Sequence, residues 1–265
     1  MKRRLTHLFL SLLLLAATLP VCGQGKIYTR KMRLADFPTK TTKIVLAGHS
    51  FLELTLREEI AAHWRISPFE FCDLEEYNRL KNSSSSYFLT LAQEDGLAYL
   101  ILEKGGKKDD TDQLKRPFEV VRMPIASVDN PTGRELVFMG AFIDIIQRFT
   151  EEAMTSDKVA YGGLESANRL HLRGRTVYID PDQGDEAYLR AKPGALLTIT
   201  IAPEEIGPRT VCYKMLISAD THELLSFERS RYNDPTDGRF TDAEARRFSR
   251  RGATVIRNSP DEAGE

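Results

Sequence analysis

Gly48-His49-Ser50 is the first place along the chain where residue types capable of chemistry stand together. The apolar run Lys43 to Ala47 (KIVLA) precedes it and reads as a buried strand. A histidine and a serine would then sit at the carboxyl end of a strand, where open α/β sheets bind ligands. A nucleophile elbow reads G-x-S-x-G, and its second glycine permits the tight strand-to-helix turn. Here Leu52 occupies that position. Ser50 also has a structural use, because Ser50 and Glu53 make the S-x-x-E capping box of a following helix. His49 and Ser50 are therefore carried as catalytic candidates for a hydrolase with a distant carboxylate, beside the reading of Ser50 as a helix cap.

Metal chemistry has less to build on. His49, His63, His171 and His222 form neither HxH nor HExxH, and no cysteine stands near them at ligand spacing. His63 closes a predicted helix, where an imidazolium suits the negative end of the dipole. His222 falls in a hairpin corner, where a positive φ is needed that His tolerates better than most residues. Asn233 to Glu244 can be aligned with a calcium loop, which puts Asp237, Gly238, Thr241 and Glu244 at positions five, six, nine and twelve. Asn233 is a weak first ligand, Pro235 removes the third, and a strand rather than a helix precedes the loop. Asp237 and Glu244 are thus weak metal candidates, and no cofactor is predicted. The acidic stretch Asp180, Asp182, Asp185 and Glu186 lacks both the loop glycine and the closing glutamate. Gly105-Gly106 and Gly162-Gly163 match no phosphate-binding loop.

The elements that must position these residues follow from periodicity. Strands are predicted at Lys43 to Ala47, Pro68 to Cys72, Tyr87 to Ala92, Leu97 to Glu103 and Phe118 to Ile125. Helices are predicted from Ser50 to about Trp64 and from Leu74 to Lys81, the second capped by Asp73. Glu94-Asp95-Gly96 is a hairpin signal. Asn130-Pro131-Thr132-Gly133 breaks the chain before a long helix, about Arg134 to Met154, whose Phe138, Phe142, Ile145 and Phe149 face a core. Four further strands are expected at Thr176 to Ile179, Leu196 to Ile201, Val211 to Ser218 and Glu223 to Arg231. A helix from about Asp242 to Arg250 starts on a second capping box, Thr241 with Glu244. The expected fold is mixed α/β, a mixed sheet packed by helices in one compact unit over 24–251. Its C-terminal part, from about residue 156, is β-rich, and 252–265 is expected to be a loose tail.

Composition bounds the function. The chain has 265 residues, 37 Lys+Arg against 38 Asp+Glu, and 42% hydrophobic residues. That balance lacks the basic excess of a nucleic-acid binder. Lys2, Arg3 and Arg4 precede the apolar run Leu8 to Ala17, and Pro20, Val21, Cys22 and Gly23 follow, which is the pattern of a secretory signal peptide over 1–23. Lipid anchoring through Cys22 ranks below cleavage after Gly23, because Val21 is bulkier than the residue that usually precedes a lipidated cysteine. No later run is long enough to span a bilayer. In an oxidising compartment Cys72 and Cys212 would either form a disulfide or remain two separately buried thiols.

Four segments carry a resemblance: Lys26 to Phe37 (KIYTRKMRLADF), Trp64 to Cys72 (WRISPFEFC), Gly133 to Phe149 (GRELVFMGAFIDIIQRF) and Cys212 to Arg231 (CYKMLISADTHELLSFERSR). Together they resemble a family of exported, functionally uncharacterised proteins of Bacteroides-type bacteria. The resemblance implies a periplasmic or secreted location and supplies no catalytic residue. The order strand–helix–strand–helix–strand–strand from Lys43 to Glu103 is also similar to the small α/β modules of periplasmic envelope-assembly factors, at the level of topology alone. The expectation is an exported envelope protein that acts as a non-enzymatic binding or assembly factor. Its partner would be an envelope protein or a small ligand, and the polar loop Gly105 to Arg116 is a candidate rim. A hydrolase built on His49 and Ser50 is the second expectation.

Overall fold

Alternation of β-branched and aromatic residues builds the first sheet around β1 (Thr42–Val45). The computed structural model describes residues 29–48, 50–106, 117–167, 170–179 and 193–257. Strand β1 lies between β2 (Phe69–Cys72) and β3 (Tyr87–Glu94), parallel to both. From β3 the chain meanders antiparallel into β4 (Leu97–Lys104) and β5 (Phe118–Ser127), giving the order β2-β1-β3-β4-β5. Asp95 and Gly96 turn β3 into β4 with φ of 49° and 75°, the left-handed pair that a two-residue hairpin requires.

Helix α1 (Arg30–Leu34) is capped by the Thr29 side chain and precedes β1. The crossover helices α2 (Phe51–His63) and α3 (Leu74–Leu80) cover opposite faces of this sheet. Leu56 and Ile60 of α2 join Ile44 and Leu89 in the main core. Tyr77 and Leu80 of α3 cover Val45, Cys72 and Phe88 on the other face. Ile44 and Val45 therefore face two different apolar layers, and Lys43 is held by Glu70 and Glu76, which is why KIVLA carries no solvent-facing stripe.

The second sheet has the order β10-β6-β7-β8-β9. It comprises β6 (Thr176–Ile179), β7 (Ala195–Ile201), β8 (Val211–Ser218), β9 (Leu224–Arg231) and β10 (Thr254–Arg257). Its outer face, with Val177, Leu196, Leu216 and Leu225, packs under Phe240 and Phe248. Its inner face contributes Leu197, Ile199, Met215 and Ile217 to the same core as the first sheet.

Between the sheets runs the helical segment at 134–167. It begins with α4 (Arg134–Val137) and α5 (Met139–Thr155), followed by α6 (Asp157–Gly162) and a 3₁₀ turn at Gly163–Ala167. The single long helix expected from the phenylalanine spacing is broken at Phe138, whose ψ of 4° leaves the helical well. Helix α5 buries Phe142, Ile143, Ile145, Ile146 and Phe149, so it is apolar around most of its circumference.

Helix α7 (Asp242–Arg250) starts on the Thr241–Glu244 capping box. One expectation needs correction here. The segment after Gly252 does not all trail away: Thr254–Arg257 pairs in parallel with β6 as an edge strand. Thr254, Val255 and Ile256 suit a strand, but four residues at an edge with little burial leave no periodic signal. Residues 1–28, with the leader pattern, and 258–265 lie outside the described residues. No helix among the described residues is long and apolar enough to cross a membrane.

Because Phe142 is 1% exposed and sits where α5 meets Ile125 and Ile199 of the two sheets, it holds both layers. Phe142→Ala is expected to cost about 3–5 kcal/mol, measured as a fall in the urea midpoint at unchanged slope.

Candidate functional site

At the end of β1 the chain does what open α/β sheets do, presenting backbone N–H groups at a helix N-terminus. The protein fills that position with its own carboxylate. Glu53 Oε1 accepts from the N–H groups of Ala47 at 2.6 Å and Gly48 at 2.9 Å. Its Oε2 accepts from the N–H and hydroxyl of Ser50 at 3.2 and 3.1 Å. The Ser50 oxygen accepts in turn from Glu53 N–H, completing the capping box. Burial opposes ionisation of Glu53, but the donors of Ala47, Ser50 and Gly48 outweigh it and hold the carboxyl below its ordinary range. Ser50 is thus a cap bonded to a glutamate. Its neighbour His49 lies outside the described residues, as do Asp180, Asp182, Asp185, Glu186 and most of the polar loop at 107–116.

Asp237 and Glu244 also serve as caps. Asp237 Oδ2 accepts from the N–H groups of Asn233 and Asp234 at 2.9 and 3.1 Å, opening the 3₁₀ turn Pro235–Gly238. Glu244 Oε2 accepts from the N–H and hydroxyl of Thr241 at 2.7 and 2.8 Å and faces Lys214 Nζ at 3.3 Å. Each carboxylate is spent on its own helix start. Cys72 and Cys212 are two buried free thiols, one at the edge of the first sheet and one in β8. Burial, reinforced by the negative charge of Glu76, pushes the Cys72 thiol up to about 11. Cys212 Sγ lies 3.2 Å from Ser230 Oγ.

Long-range folding assembles a different set. His63 at the end of α2, Asp144 in mid-α5 and His222 in the β8–β9 turn converge, with ligand-type atoms all within 4.8 Å of one another. Asp144 Oδ2 lies 2.7 Å from His222 Nδ1 and 3.2 Å from His63 Nδ1. On its far side, His63 Nε2 is 3.2 Å from Glu59 Oε2, one helical turn back. Asp144 Oδ1 receives the Gln147 side-chain N–H at 3.4 Å. All three residues are part-exposed, with side chains 28%, 24% and 17% accessible for His63, Asp144 and His222.

The expected local roles of both histidines hold: His63 closes its helix, and His222 takes φ of 54° in the turn. Their meeting across more than 150 residues has no local spacing to announce it. A signal existed in α5, where Asp144, Gln147 and Arg148 begin a polar stripe at helical spacing that Glu151 and Thr155 continue, opposite an apolar face.

The second notable feature is a cleft of about 540 Å³ between the sheets. Its floor is Tyr99, Tyr213 and Phe227, with edge-to-face Tyr99–Tyr213 centroids 6.1 Å apart and Tyr213–Phe227 centroids 5.6 Å apart. Burial, reinforced by the neighbouring Tyr213, raises the Tyr99 phenol and keeps it neutral. Arg122 stacks over Tyr99 at 5.1 Å and pairs with Glu94 and Glu119. Arg209, Arg229, Asp95 and Glu165 are exposed along its walls.

These features define a mixed α/β protein of two five-stranded sheets with a polar cluster and an open cleft at their junctions. No protein-family model, no curated protein and no solved structure matches the chain.

Glu53→Gln removes the charge and leaves an N–H₂ where Oε2 accepts from the Ser50 N–H, and it is expected to cost about 1–3 kcal/mol at pH 7. Since the Glu53 pKa is lowered on folding, its stabilisation is full above the unfolded-state pKa and is lost as pH falls through the folded one. The stability gap between wild type and variant should therefore narrow on acidification, as followed by urea unfolding between neutral pH and pH about 3.

Proposed function

We propose that the chain is an exported envelope protein that binds a segment of a partner protein, or a small ligand of similar make-up, in the cleft between its sheets. The basic-then-apolar pattern of Lys2 to Gly23 supports export. The cleft carries the binding reading. It is bordered by β5 and β9, each the terminal strand of its sheet, and edge strands offer unpaired backbone groups to an incoming chain. Val120, Val121, Phe227 and Arg229 bring both edges to the same cavity.

The occupant's chemistry follows from the lining. Tyrosine and phenylalanine faces supply apolar contact at low entropic cost, and the tyrosine hydroxyls keep a polar handle. Arg122 is neutralised by its two glutamates, so its guanidinium serves to fix Tyr99. Arg209 and Arg229, interleaved along the walls with Asp95 and Glu165, suit a segment bearing both signs of charge beside an aromatic or aliphatic group. Tyr161, 61% exposed beneath Arg30, is an apolar surface at the mouth.

Site-specific photo-crosslinking in cells tests this. A photoreactive residue at Tyr161 should give a discrete adduct, while the same residue at Glu75 on the remote helix α3 should not. The adduct should fall at least about tenfold when Tyr213→Ala removes the floor, since a central aromatic contact is worth 2 kcal/mol or more. Equal labelling from Tyr161 and Glu75, or an adduct indifferent to Tyr213→Ala, would remove the cleft from the account.

A further inference from the structure

The cluster of His63, Asp144 and His222 has the donor set and outer support of a transition-metal site. We propose that Nδ1 of His63, Nδ1 of His222 and Oδ2 of Asp144 bind one first-row divalent ion of the zinc class, leaving at least one coordination position open to solvent.

Donor type comes first. Two imidazoles and one carboxylate are borderline ligands that suit zinc, cobalt or nickel better than calcium or magnesium, which prefer oxygen throughout. Three protein ligands plus water is the arrangement of open zinc sites.

Geometry comes second. Metal–ligand bonds near 2.0–2.1 Å place tetrahedral donors roughly 3.3 Å apart. The Asp144–His63 separation of 3.2 Å already meets that, and the Asp144–His222 separation of 2.7 Å must open by about 0.6 Å. A part-exposed hairpin corner can give that much.

The outer support is what distinguishes the cluster from three side chains that merely touch. Glu59 on His63 Nε2 can hold that nitrogen protonated, which turns Nδ1 into the ligand atom. Gln147 Nε2 holds the other oxygen of Asp144. Gly140, one turn before Asp144, makes the Glu59–His63 pair fit: a Cβ there would lie 2.6 Å from Glu59 Oε2 and 3.0 Å from His63 Nε2. His222 itself occupies a left-handed turn position where glycine or asparagine would be relaxed. A residue held at such a position is a pointer to function.

The test is titration of the folded full chain with Zn²⁺ by calorimetry and with Co²⁺ by visible absorption. One ion per chain is expected, with weak cobalt d–d bands and no strong near-ultraviolet thiolate absorption, because Cys72 and Cys212 are remote from the cluster. His222→Asn tolerates the left-handed turn and should keep the fold while weakening Zn²⁺ binding more than the roughly 10–100-fold expected of Glu59→Gln, which removes only outer support. His63→Gln should behave as His222→Asn does. Should His63→Gln fail to melt cooperatively, His222→Asn and Glu59→Gln decide the matter, one lying in a turn and the other outside the ligand set. Absence of binding at millimolar Zn²⁺ or Co²⁺ would overturn the site and leave a hydrogen-bonded clamp. Binding unchanged in His222→Asn, or cobalt spectra showing thiolate ligation, would overturn it equally.

Discussion

One carboxylate among the apolar residues of the first half of α5 constrains the whole molecule. Asp144 projects from α5 between Ile143 and Ile145, both buried, and cannot turn into the core without losing its solvation. Its position is bearable because His63, His222 and Gln147 surround it with partners. The two histidines come from the end of α2 and the tip of the β8–β9 hairpin, so satisfying one side chain ties an element of each sheet layer to α5. Gln147 extends the constraint. Its Oε1 accepts the N–H groups of Arg65 and Ile66 at 2.6 and 3.2 Å, and its Nε2 donates to His63 O at 2.9 Å. The amide thereby serves the last carbonyl of α2 and the two N–H groups that follow its C-cap Trp64. Arg148 finishes the stripe by donating to Thr221 O in the hairpin turn at 3.1 Å.

The histidine–aspartate cluster and the cleft rest on one hairpin. Strands β8 and β9 carry His222 at their turn, and at their open ends they carry Val211, Tyr213, Phe227 and Arg229 of the cleft. A hairpin anchored at one end by Asp144 and Arg148 presents its other end in a defined place. The aromatic floor uses that definition: Tyr213 must meet Tyr99 of the other sheet at right angles, and the interplanar angle is 84°. Pre-placement of this kind spares a ligand the entropic cost of ordering its site.

Most of the regular elements were legible because each declares itself locally. Ser50 with Glu53, Asp73, and Thr241 with Glu244 announce helix starts through side-chain oxygens three residues from the N–H groups they serve, and all three caps form. The Asp95-Gly96 turn and the left-handed His222 likewise follow from short-range sterics. What sequence could not supply was anything decided by packing. The break at Phe138 interrupts a spacing that is helical on both sides of it, and β10 pairs only because β6 offers an edge. The candidate residues illustrate the same limit. Ser50, Asp237 and Glu244 drew attention through spacing, and spacing is what caps require. His63 and His222 have unremarkable local roles, and Asp144 joins them only once the fold closes.

Coupling between Asp144 and His222 tests this account most directly. Unfolding free energies of Asp144→Asn, His222→Asn and the double variant give the interaction across the 2.7 Å contact, free of each residue's separate contribution. The account predicts a coupling of about 1–3 kcal/mol, with the double variant little worse than the more damaging single one. Strict additivity of the two substitutions would mean that helix and hairpin are held by something else.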